Sequence, residues 1–231
     1  MFEANILTIK KERPMDRRKF SLTGIAFAGS IGRPSWVQAQ AKEPVAGVDY
    51  LTLKKLAPVD ARPGKIEIIE FFWYSCPHCN SFEPEMLEWL GQAPKDISFQ
   101  RIPVAFRSDF VPQQKLFFAL EAMGQLDSIH TKVFKAIHVQ KLRLNQDAEI
   151  ADWIAQQGLN KEKFLENFNS FSTNSKIVRA TKLQNAYMVE GVPSFGVAGR
   201  YYTDGSLAKG MSGALRAVDH LIKNVRQKKV V

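Results

Sequence analysis

The sequence predicts an α/β protein in which a sheet-forming domain is split by an inserted all-helical domain. Strand–helix–strand signals fill residues 48–110, helical spacing alone fills 111–185, and strand, strand and helix signals return over 186–228. Alternating segments of this kind indicate an α/β domain, and several successive helices can form a bundle of their own. We therefore expect the two sheet-forming parts to join in one sheet that carries the helical block.

Residues 1–41 resemble a targeting leader rather than part of the fold. A basic start at 17–19 precedes a weakly apolar stretch at 22–31, and Ala39-Gln40-Ala41 fits a small-x-small cleavage site. The apolar stretch is too short for a stable membrane anchor. The two arginines fit a twin-arginine signal and a general secretory signal equally well. Translation from Met15 would give a normal leader, so the true start, Met1 or Met15, stays open.

The charge balance argues against a nucleic-acid partner. The chain has a formal net charge of +9 from 32 Lys and Arg against 23 Asp and Glu. The leader contributes +4 of this, and the remainder shows neither a dense basic stripe nor a glycine–aromatic RNA motif. We expect no nucleic-acid binding.

The first sheet-forming part contains three predicted strands and one helix. Strands are expected at Tyr50–Lys54, Ile66–Trp73 and Ile97–Val104, with helical spacing from Ser81 to Leu90. The second strand is apolar on both faces, which is typical of the middle of a covered sheet. Pro103 places the end of the third strand at an edge or bend, since proline cannot donate to a ladder.

The inserted part contains five predicted helices. Each is bounded by a capping residue or a glycine, and the apolar positions follow helical spacing. The predicted spans are Lys115–Met123, Asp127–Val139, Asp147 to Gly158, Asn160–Phe168, and a fifth that begins at Ser172 or Thr173 and runs toward Tyr187.

The last part returns to strands. We predict strands at Phe195–Ala198 and Tyr201–Thr203, joined by a tight turn at Gly199-Arg200, then a helix from Met211 to Arg226. The lysine-containing tail 227–231 is expected to be disordered.

The tetrapeptide Cys76-Pro77-His78-Cys79 contains the two cysteines of the chain. Two cysteines with this spacing between a strand and a helix indicate a redox pair. Proline suits the first helical position, which places Cys76 at the N-cap, where free amides and the helix dipole favour a thiolate.

Three other interpretations of the tetrapeptide are weaker. A structural zinc site needs four ligands, and no second cysteine or histidine pair follows. A covalent haem site needs histidine after the second cysteine, where Asn80 stands. An inert disulfide closing so short a loop would add little stability. The sequence therefore predicts no metal site.

Two further features surround the tetrapeptide. Glu70 lies between apolar residues of the second strand, where a carboxyl group prefers to be protonated and could exchange protons with Cys79; alternatively, it reaches solvent or pairs with a lysine. Gly191-Val192-Pro193 precedes a strand, and frequency alone favours an ordinary trans Val-Pro bond.

The stretch from Glu70 to Cys79 resembles the active-site segment of the DsbA family of thiol–disulfide oxidoreductases. Gly191-Val192-Pro193 resembles the cis-proline loop of that family. The order of elements is also similar, since family members have a thioredoxin fold interrupted by a helical domain. The resemblance covers roughly residues 50–228.

The resemblance implies roles for the matching residues. Cys76 would be the exposed nucleophile and Cys79 its buried partner, with Pro77 and His78 between them. His78 would stabilise the Cys76 thiolate, and Glu70 would be the buried acid. Pro193 would be cis, and the backbone of Val192 would pair with an extended substrate. One departure is Arg101, at a position where a lysine often pairs with the buried acid; beside Glu70 it would hold that acid charged more firmly.

The resemblance also implies a cellular setting. The protein would be a periplasmic monomer that oxidises reduced, extended proteins, needs no cofactor beyond its Cys76–Cys79 disulfide, and is reoxidised by a quinone-coupled membrane protein of the DsbB type. An isomerase or reductase of the same fold, or a non-catalytic peptide-binding chaperone, remains as an alternative.

Overall fold

A computed structural model describes residues 42–229 of the chain. The predictions for the leader, the cleavage site and the start codon fall on residues outside this range. The described residues form a five-stranded sheet and seven α-helices. The strands are β1 (Leu51–Thr52), β2 (Ile66–Phe72), β3 (Ile97–Pro103), β4 (Ser194–Val197) and β5 (Tyr201–Asp204). The helices are α1 (Pro77–Gln92), α2 (Val111–Ala122), α3 (Leu126–His138), α4 (Asp147–Gln156), α5 (Lys161–Phe168), α6 (Phe171–Ala186) and α7 (Met211–Lys229).

The two sheet-forming parts of the sequence join in one mixed sheet, as predicted. Its strand order is β1-β5-β4-β2-β3, with β2 parallel to β3 and antiparallel to β4. All seven residues of β2 are buried, which agrees with its apolar content on both faces. β3 is an edge strand whose last residue, Pro103, pairs in register with Phe72. The predicted edge position of Pro103 is confirmed.

The hydrophobic core divides at the sheet and not at the boundary of the helical insertion. Ile66 and Ile68 pack with residues of α1 and α7 on one face, whereas Ile69 and Phe71 pack on the other face with residues of the inserted helices such as Phe117. Successive residues of a strand point to opposite faces, so β2 serves both cores. The two-part organisation of the sequence predicts one core for the sheet part and one for the insertion. This is wrong, because the inserted helices share a core with β2.

The inserted helices differ from prediction mainly at their starts. The Asn160 cap of α5 is confirmed, because its Oδ1 accepts the Lys163 N–H at 2.7 Å. α6 starts earlier than predicted, since the Oγ of Ser170 accepts the Thr173 N–H at 3.1 Å. α2 also starts early, at Val111, because Pro112 is tolerated in a first helical turn. The boundaries at 111 and 185 remain our proposal for the division into domains.

The last part of the chain corrects two predictions. The β4–β5 turn is centred on Ala198 and Gly199, with φ of 52° and 67°, one residue earlier than predicted. A Cβ at Gly199 would lie 2.6 Å from the Ala57 carbonyl oxygen, so glycine fits this close approach. Residues 227–229 continue α7 and are not a disordered tail. None of the helices within 42–229 has the length and apolar content needed to cross a bilayer.

Candidate active site

Cys76 occupies the N-cap of α1, the position that the sequence predicts. Its backbone is extended, with φ of −77° and ψ of 118°, and Pro77 opens the helix. The Cys79 N–H donates to Cys76 Sγ at 3.4 Å. The end of β2 and the start of α1 thus place the sulfur among amides that have no partner inside the helix.

The two sulfurs, both thiols here, differ in acidity. A hydrogen bond with the Cys79 side chain is the largest influence that lowers the pKa of Cys76, to about 6, and the amides of Cys79 and His78 and the charge of His78 add to it. Burial raises the pKa of Cys79, and its contact with Cys76 adds to this rise. At neutral pH the pair therefore holds one thiolate, on Cys76, and one thiol, on Cys79.

Cys76 is less exposed than the family resemblance implies. The residue is 6% exposed and Cys79 is 2% exposed, whereas Pro77 and His78 are exposed at the surface. The loop before β4 covers Cys76, because its Sγ lies 3.4 Å from the Val192 carbonyl oxygen. Cys76 is nevertheless the more accessible of the two.

The Val192-Pro193 peptide bond is cis. The frequency argument favoured trans, and the family resemblance favoured cis. Val192 and Pro193 also line a cleft of about 400 Å³ together with His78, Asp204 and Met211. The loop thus contacts Cys76 Sγ and also forms one side of this cleft.

Glu70 is buried and pairs with Arg101, its register neighbour on β3. Arg101 Nε donates to Glu70 Oε2 at 2.8 Å, and Arg101 Nη2 donates to both carboxylate oxygens of Glu83 at 3.0 and 3.1 Å. Burial raises the pKa of Glu70 to about 7, while Arg101 opposes the rise and the charge of Glu83 adds to it. Arg101 favours the charged form of this acid, as the departure from lysine led us to expect, but burial has the larger effect.

Three residues of this buried network escaped the sequence analysis. Glu83 lies one helical turn after Cys79, so i, i+4 spacing could have placed it on the same face. Tyr74 and His130 lie 56 positions apart in the chain, yet the Tyr74 OH and His130 Nδ1 are 2.8 Å apart. Nothing in the local sequence signals that contact.

The thiol pair at the start of α1, the adjoining proline loop and this sheet together define a thiol–disulfide oxidoreductase with a thioredoxin fold and a helical insertion. A family model described as DSBA-like thioredoxin domain matches residues 67–216. The chain belongs to this DsbA family, whose members work through their own redox-active cysteine pair.

Similar proteins match over most of their length. A thiol:disulfide interchange protein DsbA from Burkholderia cepacia is 41% identical over 193 residues, which cover 84% of this chain and 91% of that protein. DsbA from Pseudomonas aeruginosa is 41% identical over 202 residues, covering 87% and 93% of the two chains. The crystal structure of Pseudomonas aeruginosa DsbA superposes with a TM-score of 0.77 at 39% identity, covering 81% of this chain and 97% of that one. An oxidoreductase DsbA from Xylella fastidiosa gives a TM-score of 0.75 at 28% identity, with coverage of 80% and 100%.

Proposed function

We propose that this oxidoreductase acts as a disulfide donor, which transfers the Cys76–Cys79 disulfide to reduced proteins newly exported to the periplasm. The observation that carries the proposal is the position of Cys76 Sγ at the N-terminus of α1, where it accepts the Cys79 N–H. An environment that stabilises the Cys76 thiolate stabilises the reduced enzyme, which makes the disulfide form the better oxidant.

The first step uses the difference between the two sulfurs. A substrate thiolate attacks Cys76 Sγ, the Cys76–Cys79 bond breaks, and its electron pair goes to Cys79. Burial disfavours a thiolate on Cys79, so that sulfur takes up a proton. Glu70 is the proposed proton donor. Burial raises its pKa to about 7, and its charge is one of the influences that raise the pKa of Cys79. The product is a mixed disulfide between the substrate and Cys76.

The second step releases the substrate. A second substrate thiolate attacks the substrate sulfur of the mixed disulfide, and Cys76 leaves as a thiolate. Its low pKa makes it a good leaving group. The substrate has then lost two electrons and gained a disulfide, and the enzyme dithiol has gained the two electrons. We propose that a quinone-coupled membrane oxidase of the DsbB type accepts them, as the family resemblance implies.

The loop before β4 is the proposed substrate contact. Val192 borders Cys76, and the cleft beside Pro193 can hold side chains of an extended segment. Val192 would pair its backbone with that segment in the manner of an added strand. A monomer is sufficient for this reaction, since residues of one chain form the site.

Oxidation of a reduced two-cysteine peptide by the mature protein tests the proposal. We expect stoichiometric peptide oxidation by the wild type and none by Cys76→Ser. A Cys79→Ser variant cannot form the enzyme disulfide and should also leave the peptide reduced. Mixed with glutathione disulfide, its Cys76 thiolate should form a mixed disulfide and release one glutathione thiolate. Peptide oxidation that persists in Cys76→Ser would refute the assignment.

A glutathione redox titration separates the donor from its alternatives. A potential well above that of thioredoxin supports a disulfide donor, and one near that of thioredoxin favours a reductase or isomerase. Undiminished suppression of aggregation by a protein lacking both cysteines, without thiol activity, would favour a chaperone.

A further inference from the structure

A buried histidine of the helical insertion lies beside the acid–arginine network of the sheet domain. His130, on α3, is 4% exposed, and its Nε2 is 3.6 Å from Glu83 Oε1. Its other ring nitrogen, Nδ1, is 2.8 Å from the hydroxyl of Tyr74, which is 1% exposed. The histidine thus bridges the segment after β2 and the helix that carries Cys79.

The hydrogen bond to Tyr74 sets the tautomer of His130. If the Tyr74 hydroxyl donates to Nδ1, the ring proton is on Nε2 and points toward the Glu83 carboxylate. The opposite arrangement would leave the hydroxyl hydrogen without an acceptor in the described part of the chain. It would also turn a lone pair toward an anion. The first arrangement is therefore the stable one.

The Nε2–H group of His130 is a buried hydrogen-bond donor. It has no partner at hydrogen-bond distance among the described residues, and 3.6 Å is too long for a normal hydrogen bond to Glu83. It is nevertheless close enough to stabilise a negative charge in a buried site, where electrostatic effects are stronger than in water. Burial lowers the pKa of His130, which keeps the ring neutral and leaves it as a donor only through Nε2.

Arg101 supplies one positive charge to two buried carboxyl groups, those of Glu70 and Glu83. One of the two groups is left with an uncompensated charge when both are ionised, so a proton is favoured on one of them. We propose that His130 is a positioning residue that stabilises the negative charge of Glu83 and thereby keeps the exchangeable proton on Glu70. This inference rests on the proposed role of Glu70 as the proton donor to Cys79.

The charges around the network fix the direction of the effect. Arg101 faces both carboxyl groups from β3, and Asp127 acts on His130 from its own helix. The negative charge of Glu83 is one of the influences that raise the pKa of Glu70. Loss of the His130 donor would leave the negative charge of Glu83 less stabilised beside Glu70. The pKa of Glu70 should then fall.

Site-specific titration of the reduced protein tests this directly. The probe is the ¹³C carboxyl signal of Glu70, assigned by its loss in Glu70→Gln, in protein labelled at its glutamate side chains. In the wild type the signal should titrate with a midpoint of about 7. His130→Leu should lower the midpoint by about one pH unit, a roughly tenfold change in proton affinity.

Two further variants separate positioning from packing. His130→Gln keeps an N–H group that can face Glu83, so its Glu70 midpoint should stay within about 0.3 units of the wild type. Tyr74→Phe removes the hydroxyl that fixes the tautomer and should lower the midpoint by an intermediate amount. A purely structural role would not produce this order.

Three results would overturn the proposal. They are an unchanged midpoint in His130→Leu, equal shifts in His130→Leu and His130→Gln, and no shift in Tyr74→Phe. If His130→Leu does not fold, the other two variants still decide, since Tyr74→Phe must shift the midpoint more than His130→Gln. The titration needs no oxidation of substrate, so it can succeed or fail independently of the disulfide-donor function.

Discussion

At the scale of single residues, the pKa of Cys76 is lowered and that of Cys79 is raised, although the two cysteines are three positions apart. Cys76 lies before the first turn of α1, where its sulfur accepts a hydrogen bond from the Cys79 N–H. Cys79 lies inside the helix and is 2% exposed. The Cys79 sulfur needs a nearby proton source each time the enzyme disulfide opens. Glu70 is the group whose pKa and burial suit that task.

We expect Glu70→Gln to slow the opening of the enzyme disulfide at neutral pH by about tenfold or more, because the amide cannot give up a proton to Cys79. Stopped-flow mixing of oxidised enzyme with excess reduced peptide, followed by tryptophan fluorescence, measures this step. The fluorescence change between redox states should be verified for each variant by chemical reduction.

Glu67→Gln is the matched control for this variant. Glu67 is also an acid of β2 with 2% exposure, but it accepts a hydrogen bond from the Asp60 N–H at 2.7 Å, and an amide oxygen can still accept it. Its rate should match that of the wild type. Equal rates for Glu70→Gln and the wild type would exclude Glu70 as the proton donor.

The sequence was sufficient for the residues whose roles depend on local position. Cys76 at an N-cap and Pro77 at a helix start follow from one turn of chain. Helical spacing could place Glu83 on the face of Cys79, but its contact with Arg101 of β3 and the position of His130 on α3 depend on tertiary structure that no local pattern shows. The outcome for Glu70 depended on a comparison of magnitudes: a charged neighbour favours the anion and burial favours the acid, and the sequence cannot tell how complete the burial is.

At the scale of secondary-structure elements, the sequence predicted the existence and order of the helices better than their starts. α6 is the informative case. Three residues that can cap a helix follow one another closely, and the sequence pattern predicts a start at Ser172 or Thr173 and not at Ser170. The structure uses Ser170, because its hydroxyl reaches the Thr173 N–H while Thr173 is buried.

The cap assignment predicts a difference between two conservative changes. Ser170→Ala should lower the free energy of unfolding by about 1 kcal/mol, because an N-terminal amide of α6 loses its acceptor. Ser172→Ala removes a hydroxyl from an exposed position in the first turn and should change the free energy of unfolding by less than about 0.5 kcal/mol. Urea denaturation followed by circular dichroism measures both, and a larger loss in Ser172→Ala would reverse the assignment.

At the scale of the whole molecule, the inserted helices and the sheet domain are joined by a shared core. Phe71 and Phe72 of β2 belong to the same hydrophobic cluster as Phe117 of α2 and Ile150 of α4. The order of elements in the sequence predicts an insertion, but it does not reveal which face of the sheet the insertion covers. The apolar residues on both faces of β2 indicate that helices cover the sheet on both sides. They do not indicate which helices cover which face.

The same connected fold makes the stability of the whole molecule depend on the charge of Cys76. The pKa of Cys76 is lowered from an ordinary 9.0 to about 6 in the folded, reduced protein, and the oxidised protein has no such thiol. The lowered pKa stabilises the folded reduced form fully above pH 9, and this contribution disappears as the pH falls through 6. The raised pKa of Glu70 has the opposite effect on stability. Glu70 is present in both redox forms, so its contribution largely cancels in the difference between their stabilities.

We therefore expect the stability of the reduced form, relative to the oxidised form, to rise between pH 5 and pH 8 by roughly 1.5 kcal/mol, a value below the full linkage figure because solvent screens part of the site. Guanidinium denaturation of both forms across this range measures the difference. Cys76→Ser, compared with the reduced wild type, should lack this pH dependence. A difference that stays constant, or that falls as the pH rises, would show that the Cys76 thiolate is not what favours the reduced state.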